Sequence, residues 1–152
     1  MATDINNKTM NELKEKLNVY ERECRAYEDS KEEARKRGHE ALMDWYDNGP
    51  DKPEYPLTGG QRKAYHIWYW NTRQEMNFDD FVWESEAKDF IDTLRAAGVE
   101  TFTVTDKSTA LMENMHWFQQ NGCKLLGLCE VEPNDEWERK HFGNKMGVRF
   151  AL

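Results

Sequence analysis

Apolar and small residues recur along the first third of the chain at steps that alternate between three and four. They are Met10, Leu13, Leu17, Tyr20, Cys24, Tyr27, Ala34, Gly38, Ala41 and Trp45, with Lys31 filling one slot. That spacing is a heptad seam, and it predicts one long helix over residues 9–47. The other faces are dense in Glu, Lys and Arg. Glu12–Lys16, Glu21–Arg25, Glu32–Lys36 and Glu33–Arg37 stand at i,i+4 spacing, which suits a solvated helix surface. Thr9 and Glu12 have capping-box spacing and mark the start. The seam has two readings. Either it packs on the chain's own helices, or it pairs with a second copy or a partner protein. Lys31 and Gly38 interrupt it, and both readings stay open.

The pattern then breaks. DNGPDKPEYPLTGG, residues 47–60, holds three of the four prolines and reads as a loop and a boundary. It is followed by QRKAYHIWYWNTRQEMNFDDFVWE, crowded with Tyr65, His66, Trp68, Tyr69, Trp70, Phe78, Phe81 and Trp83. A helix over 61–74 is expected here. A strand over 64–70 is the alternative, because aromatic residues favour β structure. Residues 84–97 predict a helix with Ala87, Phe90, Ile91 and Leu94 inward, and Gly98 stands at its C′ position.

After Gly98 the period changes. VETFTVT, 99–105, sets Val99, Thr101 and Thr103 against Glu100, Phe102 and Val104, the alternation of a strand. Residues 108–120 predict a helix with Leu111, Met112, Met115 and Phe118 or Trp117 on one face, ended by Gly122. CKLLGLCEVE, 123–132, predicts a second strand. PNDE is a turn, and WERKHF and MGVRFAL read as a hairpin joined by GNK. The fold class is therefore α+β: a long N-terminal helix, further helices, and a small C-terminal mixed sheet with a β-α-β-β-β order. Its first two strands are expected to run parallel through a right-handed crossover. Three segments result: 1–48 as the heptad helix, 49–82 as the Pro/Gly loop and aromatic segment, and 83–152 as an α/β domain.

Composition narrows the function classes. The 29 acidic and 21 basic residues leave a formal net charge of −8, spread evenly over residues 1–48, 49–98 and 99–152. No basic stripe exists for a nucleic-acid backbone, so direct nucleic-acid binding is not expected. An acidic surface suits a basic protein partner, and it also serves solubility. Cys24, Cys123 and Cys129 form no CxxC pair, so reduced thiols and a cytoplasmic location fit better than a disulfide framework or a zinc site. No run approaches ~20 apolar residues, so no membrane span is expected. The first residues lack the apolar core of a secretory signal.

The stretches FIDTLRAAGVETFTV, STALMENMHWF, NGCKLLGL and the closing GVRF make residues 83–152 resemble an uncharacterised small-protein domain. That family occurs on plasmids, phages and conjugative elements of Firmicutes. The family carries no assigned activity, so the resemblance transfers no catalytic residue. It implies a context. Small acidic proteins on mobile elements often blunt host defence, including CRISPR–Cas nucleases.

Candidate chemistry is sparse. In TVTDKSTALMEN a helix start follows a strand, where free N–H groups can hold an anion, with Lys107 adding charge. Asp106 or Ser108 as N-cap would satisfy the same groups, and no glycine lets a phosphate approach, so a capped helix is the stronger reading. His39, His66, His116 and His141 show no helix-face metal spacing. Glu113 with His116, and Cys129 with His141 on neighbouring strands, are each at most half a site. Cys123 and Cys129, six apart on one strand, should face one side as small buried hydrophobes. Asp79, Asp80, Glu84 and Glu86 have the composition of a magnesium-binding nuclease cluster, but they also suit a helix N-terminus.

These readings converge on a non-enzymatic acidic binding protein that needs no cofactor or metal. It would inhibit a bacterial defence nuclease, of the CRISPR–Cas inhibitor type, by protein contact. Glu28, Asp29, Glu32 and Glu33 would mimic phosphates or cover a basic channel, and Trp68, Tyr69 and Trp70 would supply apolar anchors. Two alternatives remain. One is a small metal-dependent nuclease using Asp79, Asp80, Glu84 or His116. The other is a homo-oligomer, such as a homodimer, held by the N-terminal seam.

Overall fold

The computed structural model describes residues 7–71, 75–105 and 110–152. The expected helix start at 106–109, with the Asp106 and Ser108 capping candidates and Lys107, lies outside these residues. The chain forms two compact units. One comprises the N-terminal residues through Asn11 together with Thr58–Leu152, and the other is Glu12–Leu57. The fold class is α+β: a long N-terminal helix, further helices and a small four-stranded mixed sheet toward the C-terminus.

Helix α1 spans Lys8–Lys36. Its cap is Asn7 rather than Thr9: the Asn7 side-chain oxygen accepts the Met10 N–H at 3.1 Å. Thr9 instead donates to the Ala96 carbonyl at 2.9 Å, and the Asn7 amide donates to the Ala97 carbonyl at 2.7 Å. The seam does not continue as one helix to residue 47. Gly38, read as a seam position, has φ +112°, a backbone conformation that ends α1. Helix α2, His39–Asn48, follows as the second arm of a hairpin. Trp45 closes it. Its ring meets Tyr27 edge-on at 4.9 Å, its indole N–H donates to Ser30 Oγ at 3.0 Å, and the Lys31 ammonium sits 5.8 Å from its ring centre. At this end the seam packs on its own chain, and Lys31 has the role of a cation over an aromatic face.

In the other unit, α3 covers Gly59–Trp70, so the helix expectation holds over the strand alternative. Thr58 and Gln61 form its capping box: Thr58 Oγ1 accepts the Gln61 N–H at 3.2 Å, and Gln61 returns the bond at 3.0 Å. Strand β1, Met76–Phe78, is a short element absent from the sequence expectation. Helix α4, Glu84–Ala96, buries Ala87, Phe90, Ile91 and Leu94 as predicted. It ends in a Schellman motif at Gly98, φ +76°, where the Val99 N–H reaches the Leu94 carbonyl at 3.0 Å.

Strand β2 is Thr101–Thr105, α5 is Leu111–Gln120, β3 is Lys124–Val131 and β4 is Lys145–Ala151. The segment WERKHF is not a strand. It is helix α6, Glu136–Phe142, capped by Asp135, whose carboxylate accepts the Glu138 N–H at 2.9 Å. Acids occupy its first turn and Arg139, Lys140 and His141 its last, the order that a helix dipole favours. Residues 76–151 thus alternate strand and helix throughout, in place of the expected β-α-β-β-β order.

The sheet order is β1-β2-β4-β3. The parallel pair is β1 with β2, through α4, whereas 101–105 and 124–131 are separated by β4 and antiparallel to it. Alternation in β2 divides the sheet. Phe102 and Val104 enter the core with Met76, Phe78, Val148 and Phe150. Thr103 and Thr105 lie on the opposite face and are buried in a polar network with Asn77, whose amide donates to Thr105 and accepts from Thr103, both at 3.0 Å. Phe90 on α4 and Phe118 on α5 complete the core. No helix among the described residues is long and apolar enough to cross a membrane.

Helices α3 and α4 meet backbone to backbone at Gly60. A Cβ there would lie 2.5 Å from the Phe90 nitrogen and 2.9 Å from Asp89 Cβ, and closer still to the Glu86 carbonyl oxygen. Gly60→Ala is therefore expected to destabilise the protein by ~3 kcal/mol, the range of a core overpacking that backbone must absorb, readable as a lowered urea midpoint. An unchanged midpoint would mean that the two helices do not approach this closely.

Candidate functional site

The apolar face of α3 is set by its spacing. Gly60, Lys63, Ala64 and Ile67 turn inward and are buried. Arg62, His66, Tyr69 and Trp70 are left on the exposed side. Lys63 is the unusual member of the inward set, a lysine only 9% exposed. Its ammonium donates to the Phe81 carbonyl, lies 4.2 Å from the centre of the Phe81 ring, and stands 3.4 Å from Glu86 Oε2. A buried ammonium needs such partners, and here they tie α3 to the segment between β1 and α4.

That segment is held from the other side by Asn114. Its side-chain oxygen accepts the Val82 N–H at 2.9 Å and its amide donates to the Val82 carbonyl at 3.0 Å. Val82 thereby gains the paired bonds of a strand residue without a neighbouring strand. Asn114, expected on no apolar face, is among the most buried residues of α5, while Met112, expected inward, is 80% exposed. Asp80 braces the turn by accepting the Phe81 N–H at 2.8 Å, and Glu86 accepts the Trp83 N–H at 3.0 Å.

Between α3 and this braced segment lies a cleft of about 540 Å³. Arg62, Lys63, His66 and Ile67 form one wall, and Phe78, Asp79, Asp80 and Phe81 form the other. Exposed tryptophans adjoin both walls. Trp70 packs on His66 with ring centres 6.3 Å apart, and Trp83 meets Phe81 edge-on at 5.1 Å. Tyr69 joins Trp70 at 5.1 Å and stacks on Tyr65 at 6.0 Å.

The predicted contact residues divide between the two units. Glu28, Asp29, Glu32 and Glu33 are exposed on α1 within Glu12–Leu57, and Glu32 is paired with Arg35 at 2.5 Å. Trp68, half-buried, and Tyr69 and Trp70, exposed, stand on α3 in the other unit. The four-carboxylate grouping also separates. Asp79 and Asp80 line the cleft, whereas Glu84 is exposed on the first turn of α4 and Glu86 caps that helix. His116 and Glu113 are both exposed on α5, away from the cleft lining. His141 is not beside Cys129 on a strand. It lies on α6, stacked on Trp137 at 4.2 Å, with Nδ1 2.7 Å from the Trp137 carbonyl oxygen. Among the described residues, no three His, Cys, Asp or Glu side chains converge as metal ligands.

Sequence reasoning missed Arg62, Lys63, His66 and Asn114. The available signal was Lys63 itself, a lysine at the same helical spacing as buried Gly60, Ala64 and Ile67. Cys123 and Cys129 also separate. Cys123 precedes β3, where its N–H closes the last turn of α5 on the Phe118 carbonyl at 3.0 Å. A bulge between Leu125 and Gly127 then breaks the two-residue period before Cys129. Burial pushes the Cys123 thiol up to about 11, against a smaller downward pull from Arg95.

The fold and cleft define a small α+β domain with a braced groove. The chain belongs to the family of the domain of unknown function DUF7698, whose model matches residues 62–152. The match begins within α3, takes in both walls of the cleft, and leaves Glu12–Leu57 outside it. No curated protein matches the chain, and no solved structure does.

Two outcomes follow from this geometry. Asn114→Ala leaves the Val82 N–H and carbonyl without their partners, and is expected to cost ~2–4 kcal/mol in chemical denaturation. A loss below ~0.5 kcal/mol would mean that other groups brace the segment. For Cys123, the neutral thiol is the favoured form in the fold. Its contribution to stability is full below the ordinary value near 9 and is lost as pH rises through about 11. At pH 8 its iodoacetamide labelling in the folded protein should be about a hundredfold slower than in urea, by mass spectrometry, and equal rates would contradict the burial.

Proposed function

We propose that this protein is a non-enzymatic binding module that engages a basic protein partner. The observation that carries this reading is the aromatic surface beside the cleft: Tyr69 is 52% exposed, Trp70 65% and Trp83 60%. Large aromatic side chains held at the surface of an otherwise ordered unit are the residues that anchor protein interfaces. The net charge of −8 and the solvent-facing Glu28, Asp29, Glu32 and Glu33 supply the long-range attraction. A mobile-element origin, of the kind the family resemblance implies, favours a defence nuclease as that partner. A Cas effector presents the basic channel that such acids would cover.

The experiment is an affinity pull-down of tagged full-length protein from nuclease-treated bacterial lysate supplemented with Cas9-type effectors, at low and high salt. A stoichiometric, salt-sensitive partner is expected. Joint Trp70→Ala and Trp83→Ala substitution should weaken that complex by about a hundredfold, the effect of removing two hot-spot anchors. Reversing Glu28, Asp29, Glu32 and Glu33 to Lys should weaken it and flatten its salt dependence. Unchanged affinity in both variants would overturn the reading.

The cleft supports a second reading as a small enzyme, because His66, Asp79 and Asp80 share its lining. That reading predicts turnover with substoichiometric protein, lost on Asp80→Asn and, for a metal-dependent nuclease, lost with EDTA.

A further inference from the structure

The cleft between α3 and the 78–81 segment is built with opposite charge on its two walls. Arg62 and His66, one turn apart on α3, present a guanidinium and an imidazole, and Asp80 presents a carboxylate from the facing segment. No salt bridge joins these walls among the described residues. Lys63, the third basic residue of the lining, already has the Phe81 carbonyl and Glu86 as partners. The Arg62 guanidinium and the His66 imidazole make no hydrogen bond to a described residue, so their donors remain available to a ligand. Ile67 on one wall and Phe78 and Phe81 on the other add apolar surface to the lining, with Phe78 only 2% exposed.

We infer that this cleft binds a small zwitterion: an α-amino acid or dipeptide with a bulky apolar side chain. The charge pattern excludes simpler ligands. A bare anion held by Arg62 would face the Asp80 carboxylate, and a bare cation held by Asp80 would face a guanidinium. A molecule with a carboxylate at one end and an ammonium at the other satisfies both walls at once. Its carboxylate takes the planar N–H pair of Arg62 and a donor from His66. Its ammonium donates to Asp80, one of whose oxygens already holds the Phe81 N–H at 2.8 Å and so orients the group. Its side chain covers Ile67 and Phe81. The volume of about 540 Å³ is that of a small-molecule pocket. The ligand contacts are Arg62, His66 and Asp80, whereas the partner anchors are the tryptophans that adjoin His66 and Phe81.

The test is isothermal titration calorimetry of the full-length protein with four probes. L-phenylalanine and L-leucyl-L-phenylalanine carry both charges, phenethylamine lacks the carboxylate, and 3-phenylpropionate lacks the ammonium. At least one zwitterion should bind about tenfold or more tighter than either single-charge analogue. Arg62→Gln should lower zwitterion affinity by about tenfold without lowering that of phenethylamine, while Asp80→Asn should lower it similarly without lowering that of 3-phenylpropionate. Arg62 and Asp80 are both exposed, and the Asn side chain keeps an oxygen for the Phe81 N–H, so both variants should retain the wild-type melting curve. No zwitterion binding up to about 10 mM, equal affinity for the single-charge analogues, or variants that bind as wild type would each overturn the inference.

Discussion

The ring of Phe118 touches the rings of Phe78, Phe90, Phe102 and Phe150, with centres 5.5 to 6.1 Å apart. These five side chains come from α5, β1, α4, β2 and β4, and each is at most 2% exposed. One residue thus joins three strands and two helices. Burial of a phenylalanine is worth ~1.5–3 kcal/mol, and each favourable ring pair adds ~0.5–1.5 kcal/mol. That is enough for this cluster to set the position of every element that carries the cleft. The three-residue strand β1 has little stability alone. It persists because Phe78 packs on Phe90 at 4.8 Å while its backbone pairs with β2.

From that cluster the cleft follows by a short chain of constraints. Phe90 fixes α4, and Gly60 lets α3 approach α4 with no side chain between the backbones. The approach places Lys63 against the Phe81 carbonyl and Glu86. Asn114, one helical turn before Phe118, reaches the same segment from α5 and takes both polar groups of Val82. The segment from 79 to 83 has no regular structure, yet it is held by an ammonium on one side and an amide on the other. A loop braced this way holds Asp80 and Phe81 in place opposite α3, across the cleft.

The other unit obeys a simpler rule. A helical hairpin needs a break and a closing contact. Gly38 provides the break and Trp45 provides the contact on Tyr27 and Ser30. Its outward surface is charged, and its residues lie outside the family match. The family match therefore falls within one unit, and the charged hairpin belongs to the other.

Local chemistry determined much of this protein directly from its sequence. The inward face of α4, the glycine stops at 98 and 122, the alternation in 101–105 and the exposed acids of α1 all follow from periods and caps that need only neighbouring residues. The α+β class followed from the same signals. Tertiary structure decided the rest. WERKHF is helical because Asp135 caps it and β4 pairs with β2 and β3 without it. Residues 76–78 form a strand because β2, more than twenty residues away, offers them an edge. Gly38 fits a heptad seam by spacing alone, but its backbone turns there so that Trp45 can return to α1. The cleft was least legible of all. Arg62, His66, Asp80 and Phe81 are unremarkable within their own segments, and they become a site only where the packing of α3 on α4 brings two walls of opposite charge to face each other.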